Sequence, residues 1–320
     1  MKNQLFTETI DGEESWGRIC QQLDIFKPLI KHILTQESLP TGDISNTKPS
    51  ANAVYKVGNL IVKIFAPKES RHNSESVYKT ELFGHARALS LGVSVPKIYA
   101  SGIIKDKYEF PYIISEFIDG VELKEIFNSM SSDEKYAIGQ KLRKISDKLN
   151  AACEPFNEFD CIGSAEGDYV GWLIDLGFGE KYLNERKEHI FSLGLNKDDL
   201  VFCHGDFDLC NVLYGINGEA YLLDFADSIL APACIEHMTI ALSANYDESF
   251  IRGYFGEISI DELVEICFNG FMLSINGAWL LANSTELKLS DGRAFATLDS
   301  LADFKTQLHE YVKKKFESYH

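Results

Sequence analysis

His204-Gly205-Asp206-Phe207-Asp208-Leu209-Cys210-Asn211, followed thirteen residues after Asn211 by Leu223-Asp224-Phe225, is the stretch on which the reading of this chain turns. An H-x-D-x-x-x-x-N pattern arises by chance in about one chain in a hundred at average composition, so its surroundings have to add to it. Helical periodicity precedes it, and two very short apolar runs, NVLY and AYLLDF, flank Gly215 to Gly218 behind it as a small hairpin. Two acids and an amide therefore fall on one loop and at the far end of the next hairpin. Taken singly each has an ordinary explanation, since Asp206 and Asn211 can cap turns and Asp224 can end a strand.

Around this stretch the chain is ordinary globular material. It has 320 residues, 45% of them apolar and 25% charged, with 31 Lys and Arg against 48 Asp and Glu for a net charge of −17. At ~150 residues per domain the length suggests about two units. Seven cysteines, scattered and never spaced C-x-x-C, argue against a disulfide framework or a zinc knuckle and fit a reducing cytoplasm. The acidic balance disfavours duplex nucleic acid and anionic membranes as partners and permits cationic ligands. The opening MKNQLFTETIDGEES has no apolar core behind a basic start and does not read as a signal peptide. The charge-free run Ile266 to Thr285 reaches membrane-spanning length, but its polar residues Asn269, Ser274, Asn276 and Asn283 point to a buried helix instead. On such a helix Asn269-Gly270 and Asn276-Gly277, seven apart, would share a face and mark close helix packing.

Periodicity divides the chain near 117 to 120. Before it, Trp16, Ile19, Leu23, Phe26, Ile30 and Ile33 predict one opening helix over 16 to 34 despite Pro28. The runs AVYKV and LIVKIF joined by Gly58-Asn59 predict a hairpin. A helix over about 74 to 91 stopped by Gly92, then strands in KIYASG and EFPYIISEF, complete a strand-rich lobe. After it, helical patterns dominate. Ser131 or Ser132 caps a helix carrying Ile138, Leu142, Ile145 and Leu149, a second helical stretch covers about 168 to 193, and long helical patterns fill 261 to 318.

In the template for phosphoryl transfer, one Asp accepts the acceptor's hydroxyl proton, an Asn holds one magnesium, and a second Asp chelates magnesium across the nucleotide phosphates. A carboxylate, an amide oxygen and another carboxylate are the hard oxygen ligands magnesium prefers. The template also needs a Lys on an earlier strand, a Glu on the helix after it and a hinge strand. Lys63 lies in LIVKIF, Glu81 in the 74 to 91 helix, and the hinge in ISEFIDG, all in that chain order.

With these residues the chain resembles the aminoglycoside phosphotransferase branch of the protein-kinase-like fold. The likeness rests on HGD, with Gly where protein kinases usually carry Arg, on the spacing from Glu81 through LFGHARALSLGVSVPKIYASG, and on YIISEFIDG. It spans roughly residues 45 to 230. The resemblance implies a bilobal α+β fold: a strand-rich N-lobe with one internal helix and an N-terminal helical extension over 1–117, and a mostly helical C-lobe with the catalytic loop and acceptor site over 118–320. It implies Asp206 as catalytic base or acceptor-orienting group, and Asn211 and Asp224 as ligands of Mg2+. Lys63 would bind the α- and β-phosphates of ATP or GTP while pairing with Glu81, and the backbone at Glu116 and Ile118 would bond the base.

The likeness is incomplete. Ser45 to Lys56, where the nucleotide-covering loop belongs, has no glycine, so Ser50 or Asn52 is the expected phosphate contact. Asp208 stands where many relatives carry His, and is a substrate-binding candidate together with Asp227, which reads equally well as a solvated turn residue. His204 reads as a structural support of the loop, and Cys203 and Cys210 as buried filler. The expected acceptor is a hydroxyl of an aminoglycoside or related cationic antibiotic, its ammonium groups met by Asp208 and by acids such as Glu236, Asp247 or Glu248. The alternatives are a metabolic kinase for choline, a sugar or an amino-alcohol, and a pseudokinase regulator, which the presence of Lys63, Asp206, Asn211 and Asp224 together opposes. No protein partner follows from the sequence.

Overall fold

The computed structural model describes residues 4–156 and 169–317. The chain divides into two compact units, the first of Met1–His85, Ser94–Gly120 and Leu213–Ala226, the second of Ala86–Val93, Val121–Val212 and Asp227–His320. Cys161 and the start of the predicted 168 to 193 helix lie outside the described residues.

In the first unit, alternation sets the sheet. Strands β1 (Ile44–Asn46), β2 (Ala53–Val57), β3 (Leu60–Ile64), β4 (Ile98–Lys105) and β5 (Glu109–Glu116) form an antiparallel sheet in the order β1-β2-β3-β5-β4. Val57 faces Leu60 across the predicted two-residue turn, with Gly58 at φ 58°. Ala53, Tyr55, Val57, Leu60, Val62 and Ile64 are buried on one face, against helices α1 (Glu13–Ile19) and α2 (Leu23–Gln36). The period of two sends Val54, Ile61 and Lys63 to the other face.

The predicted single opening helix is in fact α1 and α2 with a break at Cys20–Gln22. There the Tyr55 hydroxyl donates to the Cys20 carbonyl at 3.0 Å, and the Gln21 side chain donates to the Ser50 carbonyl at 2.7 Å, so tertiary bonds replace helical ones. Pro28 does not end α2, because it and Asp24, whose carbonyl it leaves without an N–H, are both exposed to water. Helix α3 (Ser74–Ser90) ends as expected before Gly92. The short hairpin strands Val212–Gly215 and Ala220–Leu222 also form as expected. They are tied into the first unit by Ile216 N–H to the Asp119 carbonyl at 3.2 Å and Leu222 N–H to the Ser94 carbonyl at 2.9 Å.

The second unit is mostly helical. Ser131 caps Ser132–Leu149, its hydroxyl accepting from the Glu134 N–H while the Glu134 carboxylate accepts from the Ser131 N–H. The 168 to 193 expectation resolves into two helices, Tyr169–Asp175 and Glu180–Ser192, parted at Gly177. The apolar run Ile266 to Thr285 also splits. Ser274 ends Ile260–Leu273 and begins Ile275–Asn283, its hydroxyl accepting from the Gly277 N–H, and the two helices bend by 102°. Asn269 and Asn276 therefore sit on different helices rather than one face, although Gly270 does mark close packing, its ideal Cβ falling 2.4 Å from Met238 Cβ. Among the described residues no single helix is long and apolar enough to cross a membrane. Among the pairings that escaped the sequence is Val201–Cys203 with Ile229–Ala231, antiparallel.

Candidate active site

In the first unit, Lys63 Nζ lies 2.9 Å from Glu81 Oε2 and 3.0 Å from Asp224 Oδ1. Strand β3 supplies the lysine on the face away from α1 and α2, helix α3 supplies Glu81, and Asp224 follows the Ala220–Leu222 strand. The side chains of Lys63 and Glu81 are only 12% and 13% exposed, whereas that of Asp224 is 41% exposed and reaches solvent. Burial works against the charge of Lys63, but Asp224 and Glu81 outweigh it and hold the ammonium above its ordinary range. Burial also raises Glu81, to about 7, against the pull of Lys63. Asp224 has φ 58°, a left-handed conformation that Asp tolerates better than most residues.

Gly84 is a site residue the sequence reading passed over. Its ideal Cβ would fall 2.7 Å from Phe225 Cβ, so this mid-helix glycine is what lets the ring after Asp224 seat against α3. The missed signal was a glycine inside an otherwise sound helical pattern.

At the predicted base-binding positions, the Glu116 N–H donates to the Lys97 carbonyl at 2.8 Å and the Phe117 N–H to the Asn59 carbonyl at 2.9 Å. The Ile118 N–H has no backbone acceptor among the described residues. Ser50 and Asn52 offer the loop before β2 little carbonyl freedom, since both carbonyls accept from Gln21 Nε2.

In the second unit the loop 204–211 is braced from several sides. Asn211 Nδ2 donates to Asp206 Oδ2 at 2.8 Å and to its carbonyl at 2.9 Å, which leaves the Asn211 amide oxygen turned elsewhere. The Asp206 N–H donates to His204 Nδ1 at 3.3 Å, the Leu209 N–H to Ser243 Oγ at 2.9 Å, and Asn276 Nδ2 to the Gly205 carbonyl at 3.4 Å. His204 is fully buried and supports the loop. Asp208 caps a single turn over Leu209–Asn211, accepting from the Cys210 N–H at 2.7 Å. Asp227 is exposed, and its backbone packs on Gly205.

Two expectations are corrected here. Cys203 is buried, but Cys210 is exposed and fills no core. Three of the acids nominated for capturing ammonium groups, all but Asp208, are engaged in pairs within the fold. Glu236, 1% exposed, accepts from the His204 N–H. Asp247 pairs with buried Lys135 at 2.8 Å while capping Glu248–Phe255, and Glu248 pairs with Arg252 at 2.9 Å. Burial pushes Glu236 up to about 8, with the nearby charge of Asp206 adding to the shift and the His204 N–H opposing it. Sequence gave no sign that a carboxylate thirty-two positions downstream would hold the first residue of the motif.

Asp224 offers a partly exposed carboxylate in the first unit and Asn211 an amide oxygen in the second, and both are hard oxygen donors of the kind that suits a divalent cation of the magnesium type. Magnesium is commonly held this way, by one or two protein oxygens with phosphates and water completing the shell.

Residues 47–263 match the model of the phosphotransferase enzyme family. No curated protein matches the chain in sequence. Solved structures do resemble it in fold. A choline/ethanolamine kinase family protein from Mesorhizobium loti is 16% identical with a TM-score of 0.54, over 90% of this chain and 95% of that one. An amicoumacin kinase, in complex with AMP-PNP, Ca2+ and Ami, is 16% identical with a TM-score of 0.56 over 88% and 93%. The aminoglycoside phosphotransferase APH(3'')-Id from Streptomyces rimosus is 12% identical with a TM-score of 0.53 over 79% and 98%. Since the family match runs over more than half of the chain, and the fold is shared with solved kinases, the chain belongs to the phosphotransferase enzyme family.

Proposed function

We propose that this kinase moves the γ-phosphoryl group of ATP or GTP, with Mg2+, to a hydroxyl of a small molecule that also carries an amine. The observation that carries the reading is Lys63 between Glu81 and Asp224, a lysine held charged by two carboxylates, the second of them reaching solvent. Nucleotide binding is assigned to residues 1–117 and the acceptor to 118–320. Lys63 holds the α- and β-phosphates, and the backbone at Glu116 and Ile118 takes the base. Asp206, oriented by Asn211, takes the hydroxyl proton of the acceptor as the oxygen attacks the γ-phosphorus and the bond from that phosphorus to the β,γ-bridging oxygen breaks, so that the nucleoside diphosphate leaves. Asn211, through its amide oxygen, and Asp224 hold the metal. A magnesium ion held there would supply positive charge to offset the negative charge that develops on the phosphates.

An aminoglycoside or related cationic antibiotic is the first acceptor class. It is supported by the net charge of −17 and by fold neighbours named as aminoglycoside phosphotransferases. The internal pairing of Glu236, Asp247 and Glu248 favours a second reading, an acceptor with a single amine such as an amino-alcohol, because fewer acids remain for a polycation. Neighbours named for choline, ethanolamine and aminopropanol support that reading equally. Seven scattered cysteines, never spaced C-x-x-C, fit a cytoplasmic location.

The test is nucleotide turnover across a panel of aminoglycosides, choline, ethanolamine, aminopropanol and neutral sugars, followed by acceptor affinity at low and high salt. A polycationic acceptor gives an affinity that falls steeply with ionic strength, and a single amine gives a shallow dependence. Turnover on neutral sugars alone would remove the amine from the reading.

A further inference from the structure

The loop before β2, Thr47 to Asn52, is where a kinase of this type covers the phosphates of its nucleotide, and here it contains no glycine. Glycine serves such loops by letting backbone N–H groups turn toward an anion. Something else has to set the orientation in this chain.

Three successive carbonyls of the loop are taken from outside it. Gln21 Nε2 donates to the Ser50 carbonyl at 2.7 Å and to the Asn52 carbonyl at 3.2 Å, and Trp16 Nε1 donates to the Ala51 carbonyl at 2.8 Å. The donors stand on firm ground. Trp16 is 1% exposed in the core beneath the sheet, with its ring edge-on to Phe26 at 5.8 Å. The Tyr55 hydroxyl returns a bond from β2 to the Cys20 carbonyl, between the two donor residues. Inside the loop, Ser50 Oγ accepts from the Asn52 N–H at 3.3 Å and Thr47 Oγ1 donates to the Val54 carbonyl at 3.0 Å.

In a planar trans peptide the N–H points opposite to the C=O. Drawing the Ser50 carbonyl toward α1 therefore turns the Ala51 N–H away from it. It also keeps three carbonyl lone pairs, which would repel phosphate, on the side of α1 and α2, opposite the sheet face that carries Lys63. Both donors precede residue 47, where the family match begins.

We propose that Trp16 and Gln21 are positioning residues for the nucleotide: the α1–α2 segment braces the glycine-free loop 47–52 and so sets affinity for the phosphates, not for the base. This rests on the kinase reading above. The experiment measures binding of ATP, adenosine, GTP and guanosine to the full chain, and steady-state kinetics, for wild type, Gln21→Ala and Trp16→Phe, with thermal melts as a check on folding. Gln21→Ala loses two hydrogen bonds and should weaken the preferred triphosphate about five- to thirty-fold. Trp16→Phe keeps the ring and loses one donor, for about three- to tenfold. In both, nucleoside affinity holds, nucleotide KM rises, and kcat at saturating nucleotide moves less than about twofold. Equal losses for nucleoside and triphosphate, or no loss in either folded variant, overturn the brace. A wild-type chain that binds neither triphosphate overturns the kinase reading, and the brace with it.

Discussion

An ideal Cβ on Gly205 would lie 1.8 Å from the carbonyl oxygen of Asp227, far inside contact distance. Gly205 also has φ 84°, so both space and backbone conformation require glycine between His204 and Asp206. Gly205→Ala should destabilise the chain by about 2–4 kcal/mol and depress turnover, because the loop must shift to admit one methyl. A melt within a degree of wild type would show that the loop yields freely.

Asp206→Asn keeps an oxygen for the Asn211 side chain and removes only the base. Turnover should fall by ~10²–10⁴-fold while nucleotide still binds. If more than about a tenth of wild-type turnover survives with the best acceptor, Asp206 has no base role.

Asp224→Asn is suited to the left-handed backbone at this position and leaves Lys63 paired with Glu81. It should raise the magnesium concentration needed for half-maximal turnover by about tenfold or more, the loss of a charged ligand. Wild-type turnover should cease in excess chelator and return with added Mg2+. Activity indifferent to chelator contradicts the metal assignment.

Glu236 should make stability pH-dependent. Its carboxyl is pushed up to about 8 in the folded chain from an ordinary value of 4.5, so the folded state holds a proton that the unfolded state releases. Its contribution is full below about pH 4.5 and is lost as pH rises through 8. The groups facing it are the His204 N–H, the Asp206 carboxylate and the Asn150 amide. Glu236→Gln, which can still accept from His204, should melt with a flatter pH dependence between 5 and 8 and gain on the order of 1–3 kcal/mol over wild type at the upper end. Parallel pH profiles for the two proteins would place no proton on Glu236.

What the sequence made legible was local. Gly58-Asn59 between alternating strands announces a two-residue hairpin, and the same alternation puts Lys63 on the face opposite Val62 and Ile64. Glu81 and Asp224 were identified by order along a template, and three-dimensional proximity to Lys63 followed. What stayed hidden depended on distant partners. At the break at Cys20–Gln22 the Tyr55 hydroxyl claims the Cys20 carbonyl, and at the bend at Ser274 one hydroxyl caps the second helix. Glu236 looked like a free acid because nothing local reports that a backbone N–H thirty-two residues earlier will claim it.

The first unit borrows its last piece, Leu213–Ala226, from late in the chain, and this fixes an order of events during biosynthesis. Lys63 leaves the ribosome 161 residues before Asp224. At ~5–20 residues per second that is roughly 8–30 s in which the sheet can form but the third member of its charged trio does not yet exist. A nascent chain stalled before residue 213 should accordingly be the species in which a chaperone finds this unit open.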